Sequence, residues 1–178
     1  MGTNYYLKKK SIYTPREDRD EGWYETYDFD FYENEYNKVL ELTNGYVFNN
    51  TYYNNLEELN KNYYLTYHIG KSSAGWRFLL QAYPKKGLRY LFEWKDLFDN
   101  KDTKIFDEYG EEISKEEMLK EITHKEPNKD LLGKTEVLLS DGCRKYEVRD
   151  GLIVHPLGEG IIENSYEQTY DICDRDFC

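Results

Sequence analysis

The chain has 178 residues, 39% hydrophobic and 17% aromatic, with 19 tyrosines and a formal net charge of −11. That apolar content excludes wholesale disorder, the length fits one domain, and the acidic total excludes bulk nucleic acid as a partner. No stretch approaches the roughly 20 apolar residues that cross a bilayer, and no signal-like apolar region opens the chain, so a cytoplasmic protein with no membrane partner is expected. Cys143, Cys173 and Cys178 form no C-x-x-C pair, which indicates neither a disulfide framework nor a zinc ribbon. No metal and no cofactor is expected. The tyrosines are open to two readings, codon usage in an AT-rich genome or amphipathic contact surface.

In chain order, Thr3–Lys8 alternates weakly and predicts an opening strand. Residues 13–62 follow as an acidic, tyrosine-rich insertion, with a strand over Tyr27–Tyr32, a short helix over Glu33–Leu42, a turn at Asn44-Gly45 and a second helix over Asn54–Asn62. Tyr63–Ile69 and Trp76–Tyr83 are rich in aromatic and aliphatic residues and predict two strands joined by a loop, Gly70–Gly75. Leu88–Phe98 has helical spacing, and Ser114 with Glu117 forms a capping box that opens a helix running through Ile122. Short strands at Val137–Leu139, Tyr146–Val148 and Leu152–His155 are joined by turns at Asp141-Gly142 and Asp150-Gly151, and Tyr170–Cys173 adds a final strand. Strands, two or three helices and strands again make an α+β domain around an antiparallel sheet, one domain over 1–178 with 13–62 inserted.

The block His68-Ile-Gly-Lys-Ser-Ser-Ala-Gly-Trp76 concentrates ligand-binding chemistry: an anion-binding Lys71, hydroxyls at Ser72 and Ser73, two glycines, a histidine and a tryptophan. It lies in a basic segment, since residues 63–95 hold six Lys/Arg against Glu93 alone. Residues 13–60 hold 12 acids against three basic residues, and 96–178 hold 22 against 11. A local basic pocket can take a small phosphate-bearing ligand even inside an acidic protein, because fields are screened beyond a Debye length. Gly70-Lys71-Ser72 is not the tail of a Walker A site, which would require glycine where Leu65 stands. A strand-flanked loop could instead wrap an anion in the N–H groups of residues 71–74, with Trp76 or Tyr67 stacking a base. The alternative is a structural hairpin whose glycines serve the turn. His68, His124, His155 and Cys143 have no fixed mutual geometry, so no catalytic residue is assigned.

Three pieces carry a resemblance: the start Met1-Gly-Thr-Asn-Tyr-Tyr6, the block His68–Trp76 and the stretch Asp107–Met118. They resemble an uncharacterised family of small proteins of bacteriophages, prophages and bacteria, with a weaker echo at His155, Gly158, Gly160 and Thr169–Asp171. Relatives often carry a C-x-x-C pair between the opening strand and the histidine block; this chain has its acidic insertion there, and no zinc role carries over. The resemblance covers about half the chain and implies an origin in phage and action in the host cytoplasm, with no established activity.

Two functions from different classes remain open. In the first, His68, Lys71, Ser72, Ser73, Trp76 and Arg77, with Arg144 or Arg149, hold a phosphate-bearing nucleotide, and the protein sequesters a nucleotide immune signal without turnover. A homodimer sharing the site across a two-fold axis would suit this role. In the second, Tyr24, Tyr27, Asp28, Asp30, Tyr32, Glu33, Glu35 and Tyr36 imitate a nucleic-acid backbone and occupy a basic groove on a host defence protein.

Overall fold

A computed structural model describes residues 2–13, 46–48, 51–139, 144–155, 161–162 and 169–174, without the side chains of 46–48, 52, 161 and 162. The strand and helix expected over 27–42, the turns at Asn44-Gly45 and Asp141-Gly142, Cys143, Cys178 and the acidic mimic residues from Tyr24 to Tyr36 lie outside the described residues.

The elements are β1 (Gly2–Lys10), β2 (Tyr46–Phe48), β3 (Thr51–Tyr53), α1 (Leu56–Asn60), β4 (Tyr64–Ser73), β5 (Phe78–Gln81), α2 (Leu91–Phe98), β6 (Thr103–Asp107), β7 (Glu112–Ile113), α3 (Lys115–Thr123), β8 (Glu136–Leu138), β9 (Lys145–Arg149), β10 (Leu152–Ile153), β11 (Ile161–Ile162) and β12 (Tyr170–Cys173). The fold is α+β, built on a seven-stranded sheet in the order β11-β12-β5-β4-β1-β6-β7. Every pairing in it is antiparallel except β12 beside β5, which is parallel. A three-stranded sheet β10-β9-β8 and the hairpin β2-β3 complete the described strands.

Alternation along the strands sends Leu7, Tyr67, Phe78, Leu80, Ile105, Tyr170 and Ile172 to one face, where Leu91, Trp94 and Phe98 of α2 and Met118 and Ile122 of α3 close the core. Trp94 is fully buried, and its indole N–H donates to the Gln81 carbonyl at 2.9 Å, so a large apolar body enters the core with its one polar group satisfied. α3 starts where the capping box predicts: Ser114 Oγ accepts from the Glu117 N–H at 3.2 Å, and Glu117 Oε2 accepts from the Ser114 N–H at 3.0 Å. The expected helix over Leu88–Phe98 begins three residues later, because Leu88 is spent pairing with Tyr83.

The expected Gly70–Gly75 loop is a finding of a different kind. β4 continues through Ser73, since β1 pairs it as far as Ser73 and β5 pairs Gly70 and Lys71 on the other side, and the turn shrinks to Ala74-Gly75, closed by the Trp76 N–H on the Ser73 carbonyl at 3.1 Å. Gly75 sits at φ 79°, in the left-handed region that glycine enters without penalty. Gly70 serves close approach: a Cβ there would lie 2.2 Å from the Leu79 carbonyl oxygen and 2.6 Å from the Phe78 ring.

β1 and β4 are neighbours whose open ends meet, with Lys10 opposite Tyr64 and the Ser11 N–H donating to the Tyr63 carbonyl at 3.2 Å. The chain between them leaves and returns at one end of the sheet. Tyr13, Leu59 and Tyr63 form a small buried cluster at that junction.

Candidate functional site

The register along β1 slips once. Tyr5 faces Gly70 and Tyr6 faces His68, so Ile69 is an extra residue bulged into β4. Where β5 no longer reaches, the Tyr83 hydroxyl takes its place, accepting from the His68 N–H at 2.9 Å and donating to the His68 carbonyl at 3.1 Å. The bulge reverses which side chains face outward. Beyond it Lys71 and Ser73 point away from the helices, while Ser72 turns toward them.

Ser72 is therefore separated from Lys71. It is buried, Lys125 Nζ donates to its hydroxyl, and that hydroxyl donates to Glu121, while Lys125 and Glu121 pair at 3.5 Å. Ser72 locks α3 to β4. Tyr5 lies beside this lock, and burial, reinforced by Glu121, Asp107 and Glu108, pushes its phenol up to about 12. The anion nest expected from residues 71–74 does not form, because residues 71–73 lie in β4, and in a strand successive N–H groups point to opposite edges.

The face turned away from α2 and α3 brings together Asn4, Tyr6, His68, Lys71, Arg77, His155 and Asp171. His68 Nε2 lies 3.1 Å from Asn4 Oδ1, and Asn4 Nδ2 donates to Glu108 Oε2 at 3.1 Å, so the oxygen of the amide faces the ring and calls for a proton on Nε2. Burial drives the His68 pKa down to about 4, with the Lys71 charge adding to the effect and a Gly70 backbone contact opposing it. Burial also lowers His155, against the pull of Asp171, and Lys71 again adds to the lowering. Lys71 thus sits within electrostatic reach of two histidines that are neutral at pH 7.

Arg77 takes a role other than the one expected. Its side chain is 2% exposed, Nη1 lies 3.6 Å from Asp171 Oδ1, and Nη2 donates to the Tyr170 carbonyl at 2.9 Å. The His155 N–H donates to the other Asp171 oxygen at 3.2 Å, and His155 Nε2 lies 3.2 Å from the Arg77 carbonyl. Burial pulls the guanidinium below its usual value, while Asp171 holds it charged. Trp76 is fixed between Tyr146, edge-on at 5.1 Å, and His155, tilted at 4.8 Å. Tyr67 is buried against Tyr83, so of the two aromatics proposed for base stacking it is closed to a ligand, while Trp76 is half-buried. Arg149 is held by Glu147 at 2.6 Å, and Arg144 is exposed just before β9. His124 caps the end of α3 and is exposed.

Sequence reasoning passed over Tyr6, Lys8, Asn4 and Phe106 on this face. Phe106 belongs to a strand, β6, that carries one fully apolar inward residue, Ile105, and so lacks the alternation that would have disclosed it. The signal for Tyr6 and Lys8 was the alternation of β1 itself, legible only once the side facing the helices was known. Among the described residues no group of three His, Cys, Asp or Glu could hold a metal ion, and no helix is long and apolar enough to cross a membrane. Together these features define a mostly antiparallel sheet backed by helices on one face and carrying basic and aromatic side chains on the other. No family model, no curated protein and no solved structure matches the chain.

Proposed function

We propose that the protein binds a phosphate-bearing small molecule, a nucleotide signal, on the face of the sheet turned away from α2 and α3 and holds it without turnover. The observation that carries this reading is Lys71, placed on that face beside His68 and His155 in a chain of net charge −11. One ammonium beside two neutral imidazoles suits a small anion: the Lys71 charge supplies the attraction, and the His68–Asn4 and His155–Arg77 hydrogen bonds hold the neighbouring rings in place. The acidic remainder of the molecule keeps polyanions away while leaving this local field intact. With the resemblance to phage proteins, the biological form of the reading is a sponge that withdraws a host immune signal by stoichiometric binding. The test is mass spectrometry of small molecules released by heat from protein purified out of infected cells. A phosphate-bearing compound recovered in near-stoichiometric amount supports the reading; protein that carries none and binds no phosphate compound in calorimetric titration overturns it.

A further inference from the structure

We infer that the protein associates head to tail with further copies of itself, the acidic turn around Tyr109 of one copy seated on the basic aromatic surface around Phe92 of the next. The inference is independent of the phosphate-binding reading.

The basic surface holds most of the positive charge of its segment. Of the six Lys/Arg in residues 63–95, Arg77 is buried against Asp171, and four, Lys85, Lys86, Arg89 and Lys95, follow Pro84. They belong to a 3₁₀ turn over Pro84–Lys86 and to the start of α2. Leu91, Trp94 and Phe98 turn the apolar side of that helix into the core, which leaves Phe92 62% and Tyr90 42% exposed. Their rings stack at 6.0 Å with planes 15° apart and so form one apolar ledge on the surface. Lys85 and Lys95 are exposed, and Arg89 pairs with Glu93 at 3.4 Å while its side chain stays 56% exposed. Contiguous exposed aromatic side chains mark interaction surfaces, and Tyr and Arg are favoured anchors there.

The turn between β6 and β7 has the opposite charge. Asp107, Glu108, Glu111 and Glu112 flank Tyr109, whose 77% exposure is the highest of any large hydrophobic side chain among the described residues. Asp107 Oδ1 accepts from the N–H groups of Tyr109 and Glu111, both at 2.9 Å, so the turn is pre-formed and little ordering is left to be done on docking. Asn4 and Lys104 engage Glu108 and Glu112, each at 3.1 Å, whereas Glu111 has no ionic partner among the described residues.

Strand direction keeps the two surfaces apart. The chain leaves β5 toward the end of the sheet where Lys10 pairs with Tyr64, and leaves β6 toward the end where Gly2 pairs with Ser73. The nine residues of β1 separate those ends by about 30 Å at roughly 3.4 Å each. An acid-rimmed tyrosine and a basic aromatic ledge that do not meet within one chain can meet between two, and because the surfaces differ the contact repeats from copy to copy. The net charge of −11 opposes association at long range, but screening over about 8 Å at physiological ionic strength leaves the contact to the opposite charges within it. Surfaces this small make a reversible association.

Sedimentation equilibrium of the full chain in physiological salt should give a weight-average mass that rises with protein concentration. Lys85→Glu with Phe92→Ala disables the ledge, and Tyr109→Ala with Glu111→Ala disables the turn. Each pair should weaken association about tenfold or more, the scale of a lost aromatic anchor. Mixing the two variants should restore association as a one-to-one dimer that grows no further, because each keeps the surface that the other lacks. Leu138→Ser, at an exposed apolar residue outside both surfaces, should change nothing. The substituted side chains are exposed, so thermal melting should match that of the unmodified chain; should a double variant unfold, Phe92→Ala and Tyr109→Ala alone carry the same mixing test. A mass of one copy at every concentration overturns the inference, as does a folded variant that associates like the unmodified chain or a mixture that stays monomeric. Association lost in Leu138→Ser would assign the contact to another face and overturn it equally.

Discussion

Arg77 and Asp171 face each other at 3.6 Å inside the fold, with side chains 2% and 5% exposed, so the arginine that borders the histidine block is neutralised within the protein and not offered to a ligand. Breaking a buried pair from one side leaves the other charge uncompensated. Asp171→Ala should therefore cost about 3–5 kcal/mol in chemical denaturation, while the double change Arg77→Met with Asp171→Leu should recover most of that loss.

The opposite directions of Lys71 and Ser72 separate binding from stability. Lys71→Ala should weaken a phosphate ligand by about 1.5–3 kcal/mol with little change in melting, the scale of a charge-assisted hydrogen bond. Ser72→Ala should leave affinity unchanged and destabilise the fold by about 1–3 kcal/mol, because Glu121 and Lys125 lose the hydroxyl between them. Calorimetry and denaturant titration on both variants decide it; a Ser72→Ala protein of full stability and reduced affinity would contradict the facing derived from the bulge.

The pH dependence has a defined sign. His68 is held at about 4 in the folded chain against an ordinary 6.5, so the unfolded chain takes up a proton first as pH falls. Stability contributed by the neutral ring is complete above pH 6.5 and is lost progressively down to about pH 4, up to about 3 kcal/mol at 1.36 kcal/mol per unit. His155 is shifted in the same direction and steepens the loss. His68→Gln should flatten the stability curve between pH 6.5 and 4; an unchanged slope would show that His68 does not titrate as described.

Gly70→Ala should destabilise the protein by about 1–3 kcal/mol, the usual range for overpacking, since its new methyl meets a backbone oxygen at 2.2 Å that cannot move without breaking the β4–β5 ladder. Thermal melting measures this directly, and a neutral result would mean that β4 and β5 separate more easily than their pairing implies.

The junction of β1 and β4 makes the long connection between them a separable element. Its ends are joined by the Ser11–Tyr63 hydrogen bond at 3.2 Å, and loop length alone costs little. Replacing residues 14–54 with a short Gly/Ser linker should leave a cooperative thermal transition and intact ligand binding, because α1 and its Leu59 contact to Tyr13 and Tyr63 are kept. An unfolded product would show that residues 14–54 belong to the core.

Local chemistry made some elements legible in the sequence. Ser114 and Glu117 specify a helix start by two reciprocal hydrogen bonds within four residues, and Asp150-Gly151 specifies a turn whose two residues both adopt positive φ, 51° and 77°. Tyr170–Cys173 announced a buried strand by composition, yet its parallel partnership with β5 depends on a distant segment and left no local mark. Gly70, Ser72 and Ser73 are turn residues by propensity, and pairing with β1, joined at Gly70 by β5, held them in a strand. The candidate site divides the same way. Lys71 and His68 stood out because their residue types concentrate in nine positions, whereas the ring of Phe106 reaches the same surface through a strand the sequence hardly signals. Which residues share a face was decided by one bulged residue, Ile69, since side chains alternate with period two and a shift of one exchanges the two faces of everything that follows.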